Sequence, residues 1–299
     1  MIDYQSLNKE HYERQYEAVA VSGLVKKVVQ VDRFLGDAIL TDTSWVGMYH
    51  GDFRRRLQGA TVLELGAGDG LNALIMAKLG ARVIAVDLSS VTPRLISEAA
   101  EQLGLTGRVE AYAGYFEEMH FLLPGTFDLV IGKAFLHHLT HEVEEQYLRK
   151  VAVLLRPAGQ ARFFEPAVNS GALDFIRWLV PVPGRPSRLS RQAFAEWKAS
   201  DTHPPRDNSS EHYRRAGLRY FEQAEIVPLG GIERLHRFFP AGRSNRSFRR
   251  TAFRLENLLP VPVRMKIARS QLLIYSRPRV DLSDASGRSE GSGLNDGRN

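Results

Sequence analysis

The sequence predicts an α/β protein with a mostly parallel sheet and helices on both of its faces. Three observations carry this prediction. Short apolar segments of strand length alternate with segments of helical periodicity through the middle of the chain. The first apolar segment, 61–65, leads through three glycines into a helix predicted over 71–79. The next one, 81–87, ends in Asp87, and such alternation is typical of βαβ units.

The glycine-rich turn after the first strand is the clearest candidate for a ligand site. Residues 64–70 read E-L-G-A-G-D-G. Glycine suits this turn because the backbone needs unusual angles and because a ligand can approach where no Cβ projects. The helix that follows presents free N–H groups and the positive end of its dipole. Asp87, at the tip of the second strand, is placed to accept hydrogen bonds from ribose hydroxyls. The G-x-G-x-G spacing differs from the G-x-G-x-x-G of dinucleotide folds and disfavours a nicotinamide or flavin enzyme.

Three segments together resemble one protein family. The run E-L-G-A-G-D-G, with V-I-A-V-D-L at 83–88, resembles motif I and the acidic second-strand tip of the class I S-adenosylmethionine-dependent methyltransferases. Residues 128–139 resemble motif IV in the form D-L-V-x-x-x-x-x-L-H-H-L. The strand over 161–166 ends in Glu-Pro, as in the small-molecule branch that contains ubiquinone and menaquinone methyltransferases. The resemblance covers residues 55–165 well and the rest of the chain loosely.

The resemblance implies a fold and a ligand. The fold is a Rossmann-like, seven-stranded, mostly parallel sheet in the order 3-2-1-4-5-7-6, with helices on both faces and a helical lid. The last strand, 271–276, is then antiparallel, and residues 156–160 form the turn into strand five. The cofactor is S-adenosyl-L-methionine, and the acceptor of the methyl group is a small molecule, possibly lipid-like or a natural product.

The resemblance also assigns cofactor contacts. The acid that many relatives carry after the third strand is missing, because residues 114–118 read G-Y-F-E-E. Tyr115 or Phe116 is therefore expected to stack on the adenine ring, with Leu88 on the opposite face. Tyr12 or Tyr16, on a predicted N-terminal helix, is expected to touch the methionine end or else simply to pack. The cofactor residues expected in all are Glu64, Gly66, Ala67, Gly68, Gly70, Asp87, Leu88, Tyr115, Phe116, Gly132 and Tyr16.

Methyl transfer from a sulfonium is an in-line displacement, so the protein mainly positions the acceptor. A general base is needed only where the acceptor must lose a proton. His137, after the fourth strand, is the first candidate because histidine titrates near neutral pH. His138 is the second, because adjacent helical residues diverge and both cannot face the acceptor. Glu165 is expected at the same edge, where it could orient a histidine, bind the acceptor, or be a satisfied carboxylate.

No metal site is expected. Adjacent histidines converge poorly on one ion, and no neighbouring acid is expected to support His137 and His138. His203, His212 and His236 lie in the lid or beyond it and are too scattered to interpret. Lys133 lies at the end of the fourth strand, where it could bind an acidic substrate; we expect it to point to solvent instead.

The chain divides by pattern into five parts. Residues 1–57 are predicted to be a helical cap, 58–166 the cofactor-binding α/β core, and 167–215 a lid insertion that selects the substrate. Residues 216–277 complete the sheet, and 278–299, rich in Gly, Ser, Asp and Arg, are predicted to be a disordered tail. The chain has no cysteine, which excludes disulfides and thiolate metal sites. The N-terminus lacks the blocks of a signal peptide, so a cytoplasmic location is expected.

The net charge of +6, from 40 Lys and Arg against 34 acids, leaves several partners open. A solvated arginine-rich surface is the preferred interpretation, and no nucleic-acid partner is expected. A nucleic-acid methyltransferase would need an N-P-P-Y type motif at strand four, where residues 132–135 read G-K-A-F. A non-catalytic cofactor-binding subunit remains a second alternative. Phe175, Trp178 and Leu179, with arginines nearby, could give peripheral contact with an anionic membrane.

Overall fold

The computed structural model describes residues 4–182 and 184–279, and in this part of the chain helices flank one seven-stranded sheet. The strands are β1 (Thr61–Leu65), β2 (Arg82–Asp87), β3 (Val109–Ala113), β4 (Phe127–Lys133), β5 (Leu155–Pro166), β6 (Phe221–Leu229) and β7 (Ser270–Pro278). The helices before β5 are α1 (Tyr4–Glu17), α2 (Val21–Val29), α3 (Val31–Thr41), α4 (Thr43–Met48), α5 (Phe53–Arg56), α6 (Leu71–Lys78), α7 (Val91–Leu103) and α8 (His141–Leu154). Those after it are α9 (Gly171–Leu179), α10 (Arg191–Ala199), α11 (Ser210–Tyr220), α12 (Arg243–Leu258) and α13 (Val261–Ile267).

The strand order is β3-β2-β1-β4-β5-β7-β6, which confirms the predicted order. The first five strands in this row are parallel, and β7 runs antiparallel to both β5 and β6. Because the strands are parallel, the carboxyl ends of β1, β2, β4 and β5 meet at one edge of the sheet. Ligands bind at this edge in open α/β sheets.

The predicted turn at 156–160 is instead part of β5. The register with β4 passes from Phe127 opposite Leu155 to Leu129 opposite Gln160, so β5 carries extra residues in a bulge. Gly159 lies in this bulge, where a Cβ would come within 2.9 Å of the Arg156 carbonyl. The turn residues are therefore absorbed into the strand rather than preceding it.

Both faces of the sheet are covered by apolar side chains. Along β1, Val62 contributes to one core cluster and Leu63 to the other, as the alternation of a strand requires. The first cluster includes α6, whose residues from Leu71 to Ala77 are all buried, together with α2 to α4. The second includes α8 and side chains from β6 and β7. This double burial holds the carboxyl edge of β1 rigidly between two cores.

The segment predicted as a lid, 167–215, has two different parts. Its helices α9 and α10 contain no fully buried residue, and they meet through the rings of Trp178, Phe194 and Trp197, whose centroids are 5.5–5.8 Å apart. Residues 201–206 return to the sheet edge, where Arg206 donates hydrogen bonds to the carbonyls of Leu136 and Leu139. Only this second part reaches the candidate site.

The predicted tail at 278–299 can be compared with the structure only at its start. Pro278 is the last residue of β7, and residues 280–299 lie outside the described part of the chain. Among the described residues, no helix has the length and apolar character needed to cross a bilayer.

Candidate active site

A cavity of about 370 Å³ lies at the carboxyl edge of the sheet, beneath α1. Its walls come from the ends of β1, β2 and β4, from the turns that follow them, and from one face of α1. The lining residues are Gln5, Asn8, Lys9, Tyr12, Gln15, Tyr16, Val19, Leu65, Gly66, Ala67, Gly68, Asp69, Val86, Asp87, Leu88, Gly114, Phe116, Lys133, Ala134, Phe135, His138, Leu139 and Tyr147.

The three glycines of the turn after β1 all have positive φ, at 69°, 62° and 77° for Gly66, Gly68 and Gly70. Gly66 and Gly68 line the cavity, and a Cβ at Gly68 would lie 3.2 Å from the Tyr16 hydroxyl. Gly70 does not line it. A Cβ there would lie 2.2 Å from Ile96, so Gly70 allows the turn to pass close to α7. Gly70 was expected to contact the ligand, but in the structure it packs against α7 instead.

Asp87 is tied to the glycine turn. One carboxylate oxygen accepts the Gly68 N–H at 2.8 Å, and the other accepts the Ser89 N–H at 2.9 Å. Burial raises the pKa of Asp87 to about 6, although these hydrogen bonds oppose the shift. The carboxylate lines the cavity and keeps unused lone pairs. It can accept further hydrogen bonds from a ligand hydroxyl.

Glu64 lies behind the cavity rather than in its wall. It is 1% exposed, and its Oε1 accepts a hydrogen bond from Asn72 at 2.7 Å. Its Oε2 has no partner among the described residues, and burial raises the pKa of Glu64 to about 7. Glu64 was expected to contact the cofactor, but its side chain does not line the cavity.

Lys133 lines the cavity, so the expectation that it points to solvent is wrong. Its ammonium lies 4.7 Å from the centroid of the Trp45 ring, which holds the side chain against α4. No ion pair to Lys133 is found within the described residues. The cavity therefore contains a cation that a carboxylate of a ligand can approach.

Phe116, Leu88 and Gly114 line the end of the cavity near β2 and β3, as expected for Phe116 and Leu88. Tyr115 does not line it, and its hydroxyl instead lies 3.3 Å from Ser6 of α1. Gly132 does not line the cavity either; a Cβ at this position would lie 2.8 Å from the Phe163 ring. Tyr115 and Gly132 are therefore two predicted contact residues that the cavity wall does not include.

Helix α1 brings two tyrosines and a buried asparagine to the cavity. The rings of Tyr12 and Tyr16 are stacked, with centroids 5.6 Å apart. The Tyr12 hydroxyl lies 3.3 Å from Nε2 of His138, and Asn8 Oδ1 lies 3.2 Å from Nδ1 of the same ring. Asn8 Nδ2 donates to the Tyr4 carbonyl, which leaves Oδ1 to accept from His138. His138 therefore carries its proton on Nδ1, and its Nε2 accepts the hydrogen bond of Tyr12.

His138, not His137, lies at the cavity wall, which reverses the order of the two candidates. Burial and the neighbouring histidines lower the pKa of His138 to about 2, so the ring is neutral near pH 7. A base of this strength accepts a proton weakly. The geometry therefore gives His138 the role of orienting Tyr12.

Glu165 is fully buried and holds the turn after β4. Its carboxylate accepts the N–H groups of Phe135, Leu136 and His137 at 3.0, 2.7 and 3.2 Å, and it lies 2.7 Å from Nδ1 of His137. Neither His137 nor Glu165 lines the cavity. Of the three roles considered for Glu165, these contacts match orientation of a histidine and a carboxylate satisfied by backbone N–H groups.

His203 is a site neighbour that sequence reasoning missed. Its ring stacks against His137 and His138, with centroids 5.1 and 4.4 Å away, and its Nδ1 lies 2.6 Å from Asp201. The statement that no acid supports the histidine pair is therefore wrong, because Glu165 holds His137 and Asp201 holds His203. The sequence D-x-H at 201–203 was the one local indication that Asp201 could hold His203. No sequence pattern indicated the contact between His203 and His137.

These features define a class of protein. A glycine-lined cavity, a carboxylate at the tip of β2 and the strand order with an antiparallel β7 are features of the class I S-adenosylmethionine-dependent methyltransferase fold. Residues 62–159 match the family model described as a methyltransferase domain.

Two curated relatives match part of the chain. The cypemycin N-terminal methyltransferase of a Streptomyces species is 38% identical over 120 residues, which are 40% of this chain and 44% of the relative. The ubiquinone biosynthesis O-methyltransferase of Xanthomonas campestris pv. campestris (strain B100) is 36% identical over 107 residues, which are 36% of this chain and 43% of the relative. The chain thus spans less than half the length of the curated relatives it matches.

One solved structure shows the fold over most of the chain. Phosphoethanolamine N-methyltransferase 2 of Haemonchus contortus, in complex with phosphomonomethylethanolamine and S-adenosylhomocysteine, superposes with a TM-score of 0.51. The alignment covers 88% of this chain and 61% of that protein, at 13% identity. At this identity the likeness concerns the fold.

Proposed function

We propose that this chain binds S-adenosylmethionine in the cavity beneath α1 and transfers its methyl group to a small-molecule acceptor. The observation that carries the proposal is the continuity of the cavity, which joins the glycine turn and Asp87 to the wall formed by Tyr12, Lys133 and His138. One end therefore offers nucleoside contacts, and the other offers polar groups for an acceptor. The match of residues 62–159 to a methyltransferase domain supports the same reaction.

The residues present suit this cofactor. Asp87 would accept hydrogen bonds from the ribose hydroxyls, because its carboxylate is at the cavity surface. Gly66 and Gly68 leave the main chain open where side chains would fill the space. Phe116 and Leu88 would contact the two faces of the adenine ring. When bound, S-adenosylmethionine supplies a methyl group on a positively charged sulfur.

The protein's own contribution is to position the acceptor and to exclude water. Positioning can lower the barrier by about 7–11 kcal/mol. Tyr12 donates its proton to His138, so the phenol oxygen can accept a hydrogen bond from an acceptor hydroxyl or amine. Burial and the charge of Asp87 raise the pKa of Tyr12, which keeps it protonated. Lys133 can bind a carboxylate of either ligand.

Calorimetry with S-adenosylhomocysteine and a turnover assay with methyl-labelled cofactor test this proposal. We expect S-adenosylhomocysteine to bind with a micromolar or lower dissociation constant. In the turnover assay we expect the label to appear in a small molecule when the acceptor source is a cell-extract fraction free of protein and nucleic acid. Tyr12→Phe should bind S-adenosylhomocysteine as the parent does and lose turnover, because it removes the hydroxyl that contacts His138 and the acceptor and keeps the ring in the cavity wall. Failure of the parent protein to bind S-adenosylhomocysteine would overturn the proposal.

The same assay separates the alternatives. A non-catalytic cofactor-binding subunit would bind S-adenosylhomocysteine and label no fraction. A nucleic-acid methyltransferase would label RNA or DNA, with a strong dependence of binding on salt. Label that appears solely in nucleic acid would contradict a small-molecule acceptor.

Peripheral membrane contact stays a proposal for the outer face of the lid. Trp178 is packed in the aromatic cluster of α9 and α10, so it is not available as first expected. Phe175 and Ile176 are 55% and 53% exposed on α9, beside Arg177. This combination of exposed apolar side chains and a cation suits an anionic lipid surface.

A further inference from the structure

Three imidazole rings from distant parts of the chain converge behind the cavity wall. His137 and His138 belong to the turn after β4, and His203 belongs to the segment that returns from the lid. Their ring centroids are 4.2, 4.4 and 5.1 Å apart. One ring nitrogen from each lies within 4.8 Å of one from each of the others. Three histidines at this separation are close to the ligand set of a transition-metal ion.

The hydrogen bonds around the rings leave Nε2 of His137 and of His203 available, whereas Nε2 of His138 accepts a hydrogen bond from Tyr12 at 3.3 Å that an ion would have to displace. Nδ1 of His137 is held by Glu165 at 2.7 Å, and Nδ1 of His203 by Asp201 at 2.6 Å. In the described residues, Nε2 of these two rings has no hydrogen-bond partner. A metal-bound histidine commonly makes such a bond from its other nitrogen to a carboxylate, which fixes the ring and raises its basicity. Nδ1 of His138 is likewise occupied, by Asn8.

The charge around the rings also suits a cation. Glu165 and Asp201 bring two carboxylates to the outer side of the histidines. Two cations lie near these groups: Lys198, whose side chain is 56% exposed, pairs with Asp201 at 2.6 Å, and Arg206 pairs with the buried Glu144. A second group, formed by His141, Glu144 and His212, has a buried cation against it instead. Its carboxylate is already committed to Arg206, whose guanidinium lies 3.4 Å from His212 and would repel an ion.

We propose that His137, His138 and His203 bind a divalent transition-metal ion of the Zn²⁺ type through their Nε2 atoms. Imidazole is a preferred ligand of Zn²⁺, with bonds of about 2.0–2.1 Å. Tetrahedral coordination places ligand nitrogens roughly 3.3 Å apart, with each lone pair in the plane of its ring. The His203 ring stacks on His137 and His138 with interplanar angles of 12° and 27°, so it must rotate as well as approach them. Its side chain is 41% exposed and has room to make this movement.

The proposal deepens the proposed function, because three protein ligands leave one coordination position open. His138 is part of the cavity wall, so an oxygen or nitrogen atom of the acceptor can occupy that position. The ion would then fix the acceptor beside Tyr12. Only this use of the ion rests on the proposed function; the binding of the ion does not.

Cobalt substitution of the full-length, tag-free protein tests the site without any turnover. The protein is stripped with a chelator and titrated with Co²⁺ while the visible d–d absorption is recorded, and Zn²⁺ is then added as a competitor. We expect one Co²⁺ per chain in a four-coordinate spectrum that Zn²⁺ removes. His203→Ala should lose this spectrum. Asp201→Asn should weaken binding by roughly 10- to 100-fold, because it removes the carboxylate behind His203.

The matched control is His120→Ala, which removes an exposed histidine outside the cluster and should leave the titration unchanged. Binding of S-adenosylhomocysteine by His203→Ala shows that this variant is folded. A parent protein that binds no Co²⁺, or a His203→Ala variant that binds it equally, would overturn the metal site. Loss of S-adenosylhomocysteine binding with Co²⁺ binding intact would count against the proposed function alone.

Discussion

At the scale of single residues, Asp87 has a protonation state that should control ligand binding. Its pKa is raised to about 6 by burial, so the carboxylate is charged at neutral pH and becomes protonated in mild acid. Ribose hydroxyls donate hydrogen bonds, and a charged carboxylate is the stronger acceptor. Cofactor binding therefore requires the deprotonated form.

We expect the affinity for S-adenosylhomocysteine to fall as the pH is lowered through about 6, by up to roughly tenfold per pH unit. The sign follows because protons and ligand compete for the same carboxylate. Asp87→Asn should bind more weakly near neutral pH and lose this contribution to the pH dependence. Asp87→Ala should lose a few kcal/mol at most, as one or two charged hydrogen bonds disappear. Calorimetry across the pH range measures both effects.

Asp128→Asn is the matched control for this experiment. Asp128 accepts the Thr61 N–H and pairs with Arg156 at the far end of the sheet, so its replacement should leave the pH profile of binding unchanged. Equal affinities of Asp87→Ala and the parent protein would show that the cofactor is placed wrongly.

The predicted cofactor residues that line the cavity include those fixed by local geometry. Gly66, Gly68 and Asp87 follow from a strand, a turn and a helix, whose spacing is set within about 25 residues of chain. The partners of the histidines are set by tertiary packing instead. His203 lies 66 positions beyond His137, and no periodicity links the two. The carboxylate of Glu165 was placed at the right edge, but its three backbone hydrogen bonds depend on how the turn after β4 folds back.

At the scale of elements, the cavity is completed by two segments that lie outside the sheet. Helix α1 was predicted as a helix, and its position over the cavity depends on Asn8, which accepts hydrogen bonds from His138 and from Thr202. The second segment is 201–206, held by Arg206. Polar contacts of this kind leave no apolar pattern in the sequence, so neither position could be predicted.

Arg206 and Glu144 form a buried ion pair, with each side chain 1% exposed. Arg206→Met should lower the free energy of unfolding by about 3–5 kcal/mol, because it leaves the Glu144 carboxylate buried without this charge partner. Arg215→Met is the control. It breaks an exposed pair with Glu211 and should cost about 1 kcal/mol or less. Urea unfolding measures both, and equal midpoints for the two variants would contradict the role of Arg206.

At the scale of the whole molecule, the sheet order matches the one that the family resemblance implied. Alternation of strands and helices alone predicts parallel βαβ units. It does not predict that β7 inserts between β5 and β6, because an antiparallel strand with two covered faces has the same apolar run as a parallel one. The lid helices α9 and α10 were expected over the substrate, and their exposed face is a feature of the described surface that the cavity does not explain.

We expect the protein to sediment with vesicles that contain phosphatidylglycerol more than with neutral phosphatidylcholine vesicles. Phe175→Ser combined with Ile176→Ser should reduce this binding, because the double variant removes the exposed apolar side chains of α9. Leu123→Ser is the control, since Leu123 is 64% exposed in the loop between β3 and β4. Equal sedimentation of the double variant and the parent protein would remove the membrane from the list of partners.

The roof formed by α1 has a consequence for the speed of the reaction. This helix has a single fully buried residue, Asn8, and it is joined to the molecule chiefly by hydrogen bonds such as those from Ser90 to Glu13. Local opening of such an element costs far less than global unfolding. Because α1 lines the cavity, we expect release of the spent nucleoside to require this opening, and its frequency would then set a ceiling on kcat however fast the methyl group itself moves.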